Sequence, residues 1–189
     1  MGLETEIKVE LPDYGAYLKI YSAFSMPQKQ LTQENIYFDS ADRVLLAKGV
    51  MFRLRIENGI NIFTTKSKAT NQNGVQRATE NEVVVDLLDL SSETLNRILF
   101  ELCEIKFPEP ISLIKLGSVF NYRLVFENFF GVSLELDHMQ ILDQHFFEIE
   151  IETETPEFHI QKVKDLLQEN QIAYKPSSSK YGRFLKLLK

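Results

Sequence analysis

Cysteine is almost missing from this chain of 189 residues: the one example, Cys103, cannot close an internal disulfide. It sits in the apolar run LNRILFELCEI, so it reads as a buried core thiol in a reducing compartment. Long hydrophobic runs are also missing. No stretch approaches the roughly 18 apolar residues of a membrane span, and no basic-then-apolar leader opens the chain, so the expectation is a cytoplasmic protein without a membrane partner. Positive charge is in deficit: 21 Lys and Arg face 27 Asp and Glu, for a net charge of −6 and a pI near 5.2. That balance excludes bulk attraction to nucleic acid, so any polyanion has to bind through a local basic patch. The basic stretch KSKATNQNG therefore reads as a mobile hairpin rather than a nucleic-acid loop. No fixed-period repeat or Pro/Gly-rich linker divides the chain, and residues 1–189 read as one domain. The familiar catalytic signatures are absent too, with no Gly-rich phosphate loop, nucleophile elbow or Ser/His/Asp order. His138, His145 and His159 have no Cys or carboxylate at zinc-ligand spacing and read as structural.

What the chain does have is alternation. In LETEIKVEL, residues 3–11, Glu4, Glu6, Lys8 and Glu10 fall on one side of an extended strand, and Leu3, Thr5, Ile7, Val9 and Leu11 on the other. The same period recurs in NIYFDS, MFRLRIE, INIFTTKSK, TENEVVVD, VFNYRLVFE, VSLELDHMQ and HFFEIEIET, which makes about eight strands. NG at 58–59 and FFG at 129–131 mark hairpin connections. A helix is expected from Pro12 to about Phe24. LSSETLNRILFELCEI offers a serine cap with helical apolar spacing, TPEFHIQKVKDLLQENQ offers Thr155 as cap with Pro156 behind it, and a short helix follows from about Tyr181. Antiparallel strands with helices inserted between them predict an α+β fold.

The polar faces of these strands carry grouped charges rather than the mixture a wetted sheet shows. Arg53 and Arg55 share a face, as do Glu80 with Glu82, Glu135 with Asp137, and Glu148 with Glu150 and Glu152. Like charges side by side on a strand repel. If the helices cover the apolar side, the charged side turns inward around a space, and about eight antiparallel strands suffice to close a barrel. Charges inside such a barrel need partners of opposite sign. Arginines and lysines suit phosphate oxygens, and carboxylates suit Mg²⁺ or Mn²⁺. A polyphosphate with its metal is the ligand that matches.

Glu-x-Glu-x-Lys at residues 4–8, followed in order by YFDS (37–40), FRLR (52–55), TTK (64–66), TENE (79–82), Arg123, LELD (134–137), FEIEIE (147–152) and SSKY (178–181), resembles the CYTH superfamily, or triphosphate tunnel metalloenzymes. The resemblance spans residue 3 to about 184. It implies an eight-stranded antiparallel β-barrel, a tunnel with a charged interior and helices packed outside. It further implies that Lys8, Arg53, Arg55, Lys66, Arg123 and Lys180 bind a triphosphate. Glu4, Glu6, Asp137, Glu148 and Glu150 would hold one or two divalent cations, Mg²⁺ or Mn²⁺, with Glu80 and Glu82 as further acidic wall. Glu4, Glu6, Glu148 and Glu150 stand as the catalytic set. Lys68, Arg77, Glu135 and Glu152 rank as flanking partners. The implied activity is a metal-dependent triphosphatase acting on inorganic, nucleoside or thiamine triphosphate, as a monomer or homodimer. The alternatives are a class IV adenylate cyclase, with the ribose hydroxyl as nucleophile and pyrophosphate as leaving group, and a non-catalytic polyphosphate-binding module.

Overall fold

The structure, a computed structural model, describes residues 2–86 and 89–188. Eight strands close into an antiparallel barrel in the order β1-β5-β4-β3-β2-β6-β7-β8. They are β1 (Gly2–Leu11), β2 (Lys29–Asp39), β3 (Met51–Glu57), β4 (Ile60–Gln72), β5 (Val75–Val85), β6 (Ile114–Phe129), β7 (Val132–Ile141) and β8 (Gln144–Glu152). Closure removes the free sheet edges that would otherwise present unpaired amides. Three hairpins turn on residue pairs with positive φ, as tight two-residue connections require: Asn58 (48°) with Gly59 (86°), Asn73 (54°) with Gly74 (88°), and Phe130 (52°) with Gly131 (91°). The stretch KSKATNQNG is therefore the far end of the β4–β5 hairpin.

Among the described residues, three helices lie between strands, α1 (Tyr14–Ser22), α2 (Val44–Ala47) and α3 (Ser92–Leu102), and two follow β8, α4 (Pro156–Glu169) and α5 (Lys180–Leu187). Asp13 caps α1 by accepting from Ala16 N, Ser91 caps α3 through Thr94 N, and Ser179 caps α5 through Gly182 N. Thr155 occupies the cap position of α4, but its hydroxyl makes no cap bond and lies 3.2 Å from His159 Nδ1 instead. None of these helices is long and apolar enough to cross a membrane.

The apolar strand faces point outward, and the helices cover them. Ile7, Val9, Leu136, Ile149 and Ile151 pack under Tyr17 and Ile20 of α1 and Val163 and Leu167 of α4. Phe52, Leu54 and Phe63 pack under Leu95, Ile98 and Leu99 of α3, and Cys103 at the end of that helix is buried with them. Helix α5 does something different: Phe184 packs on Tyr37, Met51, Val119, Met139 and Ile141, whose alternation places them on the inward face. The helix thus plugs the barrel end formed by the end of β2 and the start of β3. Gly117 permits this fit, because it holds φ near +148° and a Cβ there would sit 3.0 Å from the Phe184 ring.

Candidate active site

With the apolar side turned out, alternation leaves the charged side lining the barrel axis, around a cavity of about 500 Å³. Strand register sets the pairings. Lys8 faces Glu150 and Glu6 faces Glu152 across β1 and β8, Arg123 faces Asp137 across β6 and β7, and Lys66 faces Glu80 across β4 and β5. Opposite charges on neighbouring strands remove the repulsion that each strand carries alone.

Two ionic layers result. The deeper one, beside the plug helix, centres on Asp137 and Glu148, both with no accessible surface. Lys180 Nζ lies 2.8 Å from Asp137 Oδ2, 2.8 Å from Glu148 Oε1, and in contact with Glu150 Oε1. Arg123 donates from Nε to Asp137 Oδ1 at 2.8 Å and from Nη2 to Oδ2 at 2.7 Å, and it reaches Glu150 and Glu135 as well. Ser177 Oγ donates to Glu148 Oε2 at 2.9 Å, and Arg183 reaches the same oxygen at 3.3 Å while stacking over Phe146. Burial alone would push the Glu150 carboxyl up; Lys180, Lys8 and Arg123 outweigh it and hold the group well below the usual carboxylate range. For Lys8, likewise, burial favours the neutral amine, but Glu150, Glu6 and Glu148 keep the ammonium charged.

In the second layer the acids predominate. Glu4, Glu6, Glu80, Glu82 and Glu152 line the cavity, and the cations among them are Lys66 and Arg53, with Lys8 reaching Glu6 at 2.8 Å. Lys66 Nζ contacts Glu4 and lies 2.6 Å from Glu80 Oε2. Arg53 Nη2 donates to Thr64 Oγ1 at 3.0 Å and sits 3.5 Å from Glu82. Burial, together with Glu80 beside it, raises the Glu4 carboxyl despite Lys66. Burial and the charges of Glu4, Glu6 and Glu80 raise Glu152. An uncompensated carboxylate surplus of this kind suits a hard cation.

Arg55 stands apart. Its Nε donates to the neutral Asn35 Oδ1 at 3.0 Å, and its nearest carboxylate, Glu57, is 4.0 Å away. Burial and the neighbouring Arg53 and Arg123 lower it to about 10, so it remains charged at neutral pH with donors left for an anion. Glu135, also on the cavity wall, is pushed by burial up to about 7 in spite of Arg123.

Of the residues singled out from sequence, Glu4, Glu6, Lys8, Arg53, Arg55, Lys66, Glu80, Glu82, Arg123, Glu150 and Lys180 all line this one cavity. Asp137 and Glu148 lie behind the wall in the Lys180 and Arg123 network. Among the flanking group, Arg77, Glu135 and Glu152 line the cavity. Lys68 does not, because a bulge between Ser67 and Thr70 turns it outward to pair with Glu104 at 2.6 Å. His138 and His145 meet on the outer wall at 2.9 Å, and His159 is buried against Thr153. Sequence reading missed Ser177, which precedes α5 in an irregular segment. It also missed Arg183, although three residues after Lys180 on a helix is the spacing that shares a face.

The carboxylates present could hold a divalent cation. Asp137, Glu148 and Glu150 offer oxygens within 4.8 Å of one another, and the second layer adds its surplus of acids; both sets consist of the hard oxygen donors that Mg²⁺ and Mn²⁺ prefer.

The model of the CYTH domain matches residues 2–185. Among solved structures, HpAC1 from Hippeastrum, described as showing a dominant triphosphatase activity, is 28% identical with a TM-score of 0.84, over 97% of this chain and 95% of that one. A Bacillus halodurans protein with a proposed adenylate cyclase assignment is 24% identical with a TM-score of 0.68, over 97% and 99% of the two chains. A Pyrococcus horikoshii protein, 19% identical with a TM-score of 0.65 over 97% and 99%, shares the fold. No curated protein matches the sequence significantly.

Proposed function

The chain belongs to the CYTH domain family, and from that premise we propose that it is a divalent-metal-dependent triphosphatase releasing phosphate from a triphosphate-containing substrate. The observation that carries this reading is the enclosed cavity in which guanidinium and ammonium groups alternate with carboxylates in excess. A simple anion trap has no use for those acids, which would repel phosphate; a phosphate-with-cation ligand uses both kinds of group. The Hippeastrum relative, described as a dominant triphosphatase, supports the same reading.

In this proposal Arg53, Arg55 and Arg123 offer planar forks to phosphate oxygens, while Lys8, Lys66 and Lys180 supply point charges along the chain of phosphates. Glu4, Glu6, Glu80, Glu82 and Glu150 would hold Mg²⁺ or Mn²⁺, with Asp137 and Glu148 completing the three-carboxylate set beside Glu150. When bound, the cation neutralises charge on the phosphate oxygens. The protein residues themselves fix the phosphates in line, exclude bulk water from the cavity, and orient the attacking water through a wall carboxylate that accepts its hydrogen bond.

A panel of tripolyphosphate, ATP and thiamine triphosphate with Mg²⁺ and with Mn²⁺, assayed for phosphate, pyrophosphate and cyclic nucleotide, tests this. Phosphate release from at least one substrate, abolished by EDTA, is the expected result. Cyclic nucleotide with pyrophosphate would assign the cyclase reaction instead. Tight metal-independent binding without turnover would assign a binding module.

A further inference from the structure

Among the described residues, every strand but β2 brings at least one charged side chain to the cavity wall; β2 brings Leu31, Gln33 and Tyr37. Alternation turns Asn35 inward between the last two. Three neutral amides gather on this side of the barrel, Gln33, Asn35 and Asn121, all without accessible surface. Asn121 Nδ2 donates to Gln33 Oε1 at 2.8 Å, and Gln33 Nε2 donates to Glu57 Oε2 at 2.6 Å.

Strand register supplies a comparison inside the molecule. Asn35 lies directly opposite Arg55 across β2 and β3, as Asp137 lies opposite Arg123 across β7 and β6. In the second pair the carboxylate accepts from both Nε and Nη2, at 2.8 and 2.7 Å, and Glu150 and Glu135 complete the neutralisation. In the first, an uncharged amide oxygen accepts from Nε alone, at 3.0 Å. Glu57, the carboxylate nearest Arg55 at 4.0 Å, is already engaged by Gln33. Arg55 therefore keeps its charge and the donors of Nη1 and Nη2 for a ligand.

We propose that Asn35 is a positioning residue for Arg55: its neutral carbonyl aims the guanidinium into the cavity without neutralising it. The inference rests on the triphosphatase reading and deepens it, by naming the residue that keeps one arginine of the phosphate site free of a counter-charge. Asn35 is not among the residues of the cavity wall, so it acts through Arg55 and not by touching substrate. An arginine gripped by a carboxylate has to release that partner before it accepts phosphate. One held through Nε by an amide presents the rest of its fork at once. Burial, with Arg53 and Arg123 nearby, lowers Arg55 to about 10, the mark of a cation short of counter-charge, and a phosphate group supplies what is missing.

The test is calorimetric titration of tripolyphosphate with Mg²⁺ into wild type, Asn35→Asp, Asn35→Ala, Arg55→Ala and the double variant Asn35→Ala/Arg55→Ala. Asn35→Asp keeps the side-chain shape and adds the charge that Asp137 carries opposite Arg123. It should occupy Nε and Nη2 of Arg55 and weaken tripolyphosphate about tenfold or more. Asn35→Ala leaves the guanidinium charged but unaimed, and should cost several-fold, less than Asp does. A merely structural role ranks the two the other way, because Ala removes buried contacts that Asp retains. Without Arg55, Asn35→Ala should change the affinity less than about twofold, since its effect runs through the arginine. Wild-type affinity in Asn35→Asp or Arg55→Ala, or an Asn35→Ala loss as large without Arg55 as with it, overturns the inference and leaves the triphosphatase reading standing. Should Asn35→Asp fail to fold, the Asn35→Ala comparison with and without Arg55 decides alone. Absence of tripolyphosphate binding in wild type overturns both readings.

Discussion

Replacing Lys180 by Met keeps most of the side-chain stem and deletes one charge, which makes it a clean probe of the deeper ionic layer. The ammonium touches three carboxylates, Asp137, Glu148 and Glu150, and the first two have no accessible surface. Arg123, Arg183 and Lys8 remain after the substitution, so the acids are not stripped of all compensation. Breaking one member out of a buried ionic set costs about 3–5 kcal/mol. For a chain of this size each kcal/mol lowers Tm by about 2–4 °C, so the expected loss is roughly 6–20 °C. The pH dependence carries a definite sign. Removing a cation raises the folded-state values of these carboxyls, of which Asp137 and Glu150 are held low by their cations and Glu148 is held up by burial in wild type, so the variant takes up protons at higher pH than wild type does. The deficit of Lys180→Met relative to wild type is therefore full where all three are ionised and narrows on acidification as they take up protons. Thermal unfolding followed by circular dichroism from about pH 8 down to about pH 4 measures it. A loss below about 2 °C, or a deficit that is the same at both ends of the range, would refute the reasoning that Lys180 is the compensating charge of this layer.

Other expectations follow from the same geometry. Arg55→Ala should raise KM about 10- to 100-fold with a smaller change in kcat, since a hydrogen bond to a charged group contributes about 1.5–3 kcal/mol; an unchanged KM would remove Arg55 from substrate binding. Mg²⁺ at about a hundred times its Kd should stabilise the fold by about 2.7 kcal/mol, seen as a rise in Tm that EDTA reverses; no change would count against a divalent site. Glu135, at about 7 in the folded protein and lower when unfolded, destabilises the fold once ionised, so wild type should lose stability between about pH 4.5 and 7. Glu135→Gln should flatten that slope in denaturant titrations, and an unaltered slope would show that the group is not perturbed.

How far the fold was readable from sequence depended on whether period two survived. It did in β1, β3 and β8, where Glu4, Glu6, Lys8, Arg53, Arg55, Glu57, Glu150 and Glu152 all line the cavity, and the eight strands, the closed barrel and the outer helices follow from it. It failed at Ser67–Thr70, where a bulge and a positive φ at Lys68 carry that lysine to the outside. Alternation also says which face a residue takes but not how deep it lies. Asp137 and Glu148 share the face of Glu150, yet the end plugged by α5 buries them behind Lys180, and no local pattern encodes where that helix docks. Helix α2 has only four residues, too few to show a helical period.

The proposed activity requires that the ionic side of the sheet enclose a hollow that takes triphosphate together with a divalent cation. Titration of tripolyphosphate into wild type and Lys66→Met, each with Mg²⁺ and with EDTA, tests this most directly, because Lys66 bridges Glu4 and Glu80 on the cavity wall. One saturable site in wild type, weakened by EDTA and about tenfold or more by the loss of the ammonium, is the predicted result. No saturable binding with Mg²⁺, or equal affinity in the two proteins, would contradict it.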